Sequence, residues 1–112
     1  QLRGIKGVRC LPISVGTRPN HAYFPILLDE DFPLTRDALY HAFREREIMV
    51  RRYFYPLISA FPMYADFPSA SAENLPVANT ISSQVLCLPI FPNMENAEID
   101  TITTFIREAS RR

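Results

Sequence analysis

One lysine, two histidines and two cysteines are the residues best suited to nucleophilic, proton-transfer or metal chemistry in this chain. A Schiff base requires a lysine amine in a desolvated site that lowers its pKa. Lys6, inside Gly4-Ile5-Lys6-Gly7, has no neighbouring anchor for a phosphate and reads as a solvated surface residue. His21 stands beside a turn and His41 in the polar part of an expected helix, where ordinary boundary and surface roles are the simplest. The chain contains no Cys-x-x-Cys, His-Glu-x-x-His or Gly-x-Ser-x-Gly, so neither a metal site nor a hydrolase elbow has a local signature. We therefore assign no catalytic residue and expect no bound metal. Cys10 and Cys87 each lie in an apolar run and suit buried, reduced thiols. What remains is recognition chemistry. Arg51-Arg52-Tyr53-Phe54-Tyr55-Pro56-Leu57, then Ser59 and Phe61-Pro62-Met63-Tyr64, combine guanidinium forks with flat aromatic faces that carry hydroxyls.

The elements that must position these residues alternate between extended and helical patterns. Val8 to Ile13 reads as a strand and Ser14 to Asn20 as a turn. His21 to Asp29 reads as a second strand in which Pro25, lacking an N–H, favours an edge or a bulge. Thr35 is the expected N-cap of a helix with Leu39, Ala42 and Phe43 on its apolar face, ending near Glu47. Ile48 to Tyr55 is expected to be a strand closed by Pro56, its alternation burying one set of side chains. From Pro56 to Pro76 prolines and serines give an irregular stretch. Val77, Ile81 and Val85 then mark a short helix starting at Pro76, Leu86 to Pro92 an extended segment, and Ile99, Ile102 and Ile106 the stripe of a final helix. The expected fold is a small α/β (α+β) domain: a mainly antiparallel sheet with helices packed on one face.

At 112 residues the chain fits one domain, residues 1–112, about a quarter to a third of a two-domain metabolic enzyme. Lys plus Arg equals Asp plus Glu at 12 each, which leaves no surplus charge for a nucleic acid backbone. No apolar run approaches the roughly 20 residues that span a bilayer, and no signal peptide is evident at the N-terminus, so a cytoplasmic protein with no membrane partner is expected. The start at Gln1-Leu2-Arg3-Gly4 is that expected of a piece of something longer.

Four blocks carry a resemblance: Asn20-His21-Ala22-Tyr23-Phe24-Pro25-Ile26, Arg51-Arg52-Tyr53-Phe54-Tyr55-Pro56-Leu57 with Ser59 and Phe61-Pro62-Met63-Tyr64 close behind, Leu75-Pro76-Val77-Ala78, and Leu86-Cys87-Leu88-Pro89-Ile90-Phe91-Pro92. In this order they resemble the C-terminal part of the DegT/DnrJ/StrS sugar aminotransferases, from about Gly4 to Glu108.

The resemblance implies a fold type I enzyme, dependent on pyridoxal phosphate, that moves an amino group from glutamate to a keto sugar carried on a nucleotide. It also implies a full-length homodimer in which this small C-terminal domain helps wall the substrate cleft. The family's cofactor lysine and phosphate anchors lie in its large domain, upstream of the region matched here, so no cofactor is expected on this chain alone. Arg52, Tyr53, Tyr55, Ser59 and His21 are the implied substrate contacts. Many family members carry histidine where Ser59 stands, a departure that points to a different sugar contact. The competing expectation is an independent α/β module for ligand binding or protein interaction.

Overall fold

Ile26 and Leu28 on one strand and Leu86 and Leu88 on the next face the same way, and the core grows on that face. The computed structural model describes residues 1–112. Its sheet has three strands, β1 (Val8–Cys10), β2 (Phe24–Leu28) and β3 (Val85–Leu88), antiparallel and in that order. The register sets Val8 opposite Leu28, and Ile26 opposite both Cys10 and Leu86. Helices α1 (Arg36–Arg44) and α4 (Asn96–Ala109) bring Leu39, Phe43, Ile102, Phe105 and Ile106 into one core cluster with those strand residues. Phe43 and Phe105 meet edge to face at 4.7 Å, a favoured aromatic geometry. Both of these helices start on side-chain caps. Thr35 accepts from the Ala38 N–H at 3.2 Å, and Glu95 and Glu98 form a reciprocal capping box that satisfies otherwise orphaned N–H groups.

Several boundaries differ from the sequence expectation, for local reasons. β1 stops at Cys10 rather than Ile13, β2 starts at Phe24 rather than His21, and Val85 opens β3 instead of extending the preceding helix. Pro25 lies on the central strand, not an edge. Cys87 exchanges both backbone hydrogen bonds with Arg51, so its pair with Pro25 needs no proline N–H. The missing donor faces the β1 side, where pairing has already ended at Cys10.

The largest correction concerns Ile48 to Tyr55. Only Arg51 joins the sheet, through an isolated bridge to Cys87, and the chain then turns at Tyr53 and Phe54. Phe54 has φ +49°, a left-handed conformation that bulky residues rarely adopt, and strand alternation ends there. Between Pro56 and Pro76 the chain forms three short 3₁₀ turns and the four-residue helix α2 (Pro62–Ala65), followed by α3 (Pro76–Gln84). α3 contacts β2 and supplies no residue to the core cluster; its Val77, expected on the apolar stripe, is exposed.

The surface is large for the mass. A compact monomer of 12.9 kDa exposes about 6,300 Å², whereas this chain exposes 8199 Å². Its radius of gyration is 15.6 Å, against about 13 Å for a compact domain of this length. Large apolar side chains are among those exposed: Phe54, Ile58, Met63, Phe67 and Val77 are each more than half exposed.

Candidate functional site

Arg36 occupies the first position of α1, where the helix dipole disfavours a cation. It is nonetheless 96% buried, and the reason lies in α3. Its Nη1 donates to the Ser82 carbonyl at 2.7 Å and the Val85 carbonyl at 3.3 Å, at the C-terminal end of α3. Carbonyls there lack helical partners and the dipole favours positive charge. The Arg36 guanidinium also lies 4.8 Å from the centre of the Tyr55 ring.

Asp37, the next residue, links this buried arginine to an accessible one. Its Oδ1 is 2.9 Å from Arg36 Nε and accepts a hydrogen bond from Arg52 Nη1 at 3.2 Å. The Arg36 contact is ionic but poorly aligned, so Nε has no true hydrogen-bond acceptor despite its short distance to the carboxylate. Arg52 in turn lies 4.4 Å from the Tyr55 ring centre and 4.6 Å from that of Tyr40. Tyr55 thus contacts two guanidinium groups, and Arg52 contacts two rings and a carboxylate. With its side chain 29% exposed, Arg52 holds a cation at the surface whose direction is set by three neighbours. An arrangement of two arginines and one aspartate carries a net positive charge and suits an anionic or hydroxyl-rich ligand.

The other expected site residues make none of these cluster contacts. Tyr53 packs on Tyr23 at 4.7 Å and on Phe54 at 4.0 Å. Loss of solvent raises its hydroxyl pKa above the ordinary 10, with Tyr23 and Cys87 adding to the effect. Ser59 is half-buried in the 3₁₀ turn Ile58–Ala60, and His21 is exposed with φ +53°. Arg52 and Tyr55 meet, while Arg36, Asp37 and Tyr40 were missed. One signal was available for Arg36: an arginine immediately after the N-cap opposes the helix dipole and needs a partner elsewhere.

Two open apolar grooves, of about 600 and 680 Å³, flank the stretch from Leu88 to Ile90. Neither includes the Arg52–Tyr55 cluster. Cys87 lines the first, and burial pushes its thiol above the ordinary 9, partly offset by Arg51. A raised pKa leaves less of the reactive thiolate at any given pH. Alkylation of the native chain at pH 8 is therefore expected to modify half-buried Cys10 well before Cys87, as peptide mapping would read it. Equal rates would mean that β3 opens as readily as the sheet edge.

Lys6 lies in solvent, its side chain 75% exposed and its Nζ 3.1 Å from Asp31 Oδ1. No cluster of three or more His, Cys, Asp or Glu side chains is placed to hold a metal ion. No helix is long and apolar enough to cross a membrane.

Comparison with known proteins gives a match over residues 1–107 to the DegT/DnrJ/EryC1/StrS aminotransferase family. The chain is 42% identical over 105 residues to a dTDP-4-amino-4,6-dideoxy-D-glucose transaminase of Escherichia coli, covering 94% of this chain and 28% of that protein. It is 36% identical to a protein of the same name from Shigella dysenteriae, covering 96% and 29%. Among solved structures it resembles S. venezuelae DesV, crystallised with a ketimine intermediate, at TM-score 0.82 and 27% identity, covering 99% of this chain and 28% of that one. The aminotransferase TlmJ of Streptoalloteichus hindustanus shares the fold at TM-score 0.78 and 22% identity, covering 96% and 27%. The chain thus spans under a third of the length of the proteins it matches.

Proposed function

Because the chain belongs to the DegT/DnrJ/EryC1/StrS aminotransferase family, we propose that it is the small C-terminal domain of a sugar transaminase, packed on a large cofactor domain and walling the substrate cleft. The full-length protein would be a homodimer. It would exchange an amino group between glutamate and a nucleotide-linked sugar, with dTDP-4-amino-4,6-dideoxy-D-glucose, named for two relatives, as the amino sugar. Pyridoxal phosphate would supply the electron sink for that exchange. The residues of this chain do not fit as its holders. The sole lysine is solvated and paired with Asp31, the opposite of the desolvated amine that Schiff-base formation needs.

The observation that carries the reading is the fixed cation at Arg52. A guanidinium held by Asp37 and two tyrosine rings is already oriented, so a phosphate oxygen or sugar hydroxyl can bind it at little entropic cost. Tyr55 offers a ring and hydroxyl beside it, 49% exposed. Tyr53, Ser59 and His21 are proposed as further contacts to the sugar and nucleotide, brought to the cleft once the large domain covers the apolar surface. That surface also favours a docked domain over an independent module, which would bury its own apolar side chains.

In the full-length protein, Arg52→Ala is expected to raise KM for the nucleotide sugar about tenfold, the effect of losing one charged hydrogen bond, and to leave KM for glutamate unchanged. Steady-state kinetics with each substrate varied in turn checks this. An unchanged sugar KM would remove Arg52 from the substrate site.

A further inference from the structure

Resting on the reading of Arg52 as substrate-facing, we propose that Asp37 is a positioning residue for nucleotide-sugar binding, acting through Arg52, with buried Arg36 fixing Asp37 in turn. Three observations support the chain of contacts. Asp37 Oδ1 accepts from Arg52 Nη1 at 3.2 Å. The same oxygen lies 2.9 Å from the Nε of Arg36, whose side chain is only 3% exposed and whose Nη1 is tied to two backbone carbonyls at the end of α3. Tyr55 contacts both guanidinium groups, which fixes their separation.

An arginine has four rotatable side-chain bonds and loses considerable freedom when it binds a ligand. Asp37 and Tyr40, both on α1, remove much of that freedom beforehand. Asp37 itself sits in the first turn of α1, where the helix dipole favours a carboxylate, so its charge is held without help from the substrate. Withdrawing the Asp37 charge leaves the Arg52 cation present but unaimed. The consequence is weaker binding of the ligand that Arg52 touches, with the chemical step and the second substrate unaffected.

A double-mutant cycle in the full-length enzyme tests this. Asp37→Asn is close to isosteric at a side chain 47% exposed, and a thermal melt confirms that it folds. It is expected to raise KM for the nucleotide sugar about threefold, in line with a half-exposed ion pair, with kcat and glutamate KM unchanged. Asp37→Glu is expected to recover part of the loss, and Asp37→Asn is expected to add nothing in the Arg52→Ala background. If Arg52→Ala raises the sugar KM while Asp37→Asn has no effect, or adds in full to Arg52→Ala, the positioning role is overturned and the substrate-facing role of Arg52 stands. If Arg52→Ala itself leaves the sugar KM unchanged, both fail.

Discussion

Replacing Arg36 with methionine is expected to destabilise the fold by about 3 kcal/mol, although the two side chains have similar reach. The loss comes from what the guanidinium leaves behind. The carbonyls of Ser82 and Val85, at the junction of α3 and β3, would lose their side-chain donor at a largely buried site. The Tyr55 ring would lose a desolvated cation contact of about 1–2 kcal/mol. Exchange of a whole buried ion pair for apolar groups is often neutral, but here the acceptors stay while the donor goes. Arg36→Lys should recover part of the loss, since an ammonium can still donate to these carbonyls but lacks the planar group that stacks on Tyr55. Urea unfolding with an unchanged slope would measure the effect, and a loss below about 0.5 kcal/mol would mean that the junction does not depend on this arginine.

Replacing Ile58, Met63 and Phe67 together with serine is expected to separate folding from docking. These side chains are 68%, 67% and 56% exposed, so their loss should change the stability of the 112-residue chain only slightly. Against a covering large domain each would be worth about 1.5 kcal/mol or more. Together they would weaken the contact by at least about 4.5 kcal/mol, roughly two-thousandfold in the docking equilibrium. Limited proteolysis of the full-length variant should therefore release the small domain rapidly, and transaminase activity should fall with it. Unchanged protease resistance and activity would show that the apolar surface of this segment faces solvent in the working enzyme.

Local signals with a single physical meaning were legible in the sequence. Thr35 capped α1 as expected because an exposed hydroxyl before an apolar stripe has few other uses, and Leu39 and Phe43 fell in the core. The stripe of α4 was equally legible, with Ile102 and Ile106 buried and Asp100, Arg107 and Glu108 exposed. The family was legible too, since its blocks are specific sequences rather than periodicities. The strand expected at Ile48 to Tyr55 failed because β-branched and aromatic composition does not reveal a left-handed residue, and Phe54 supplies one. Pro25 misled because its effect depends on which side of the strand its partner lies, a tertiary fact. Half of the site was visible in Arg52 and Tyr55. The other half, Arg36, Asp37 and Tyr40, reads in sequence as the polar first turns of an amphipathic helix, and only the contact with α3 and Tyr55 distinguishes it.

We propose that this chain shapes a transaminase site whose cofactor is held elsewhere. Borohydride reduction after incubation with pyridoxal phosphate, followed by absorbance and peptide mapping, tests it on the 112-residue chain and the full-length protein side by side. The expected result is cofactor trapped only in the full-length protein, on a lysine outside these residues. Cofactor trapped on Lys6 of the short chain would contradict this role, as would a full-length protein that traps none.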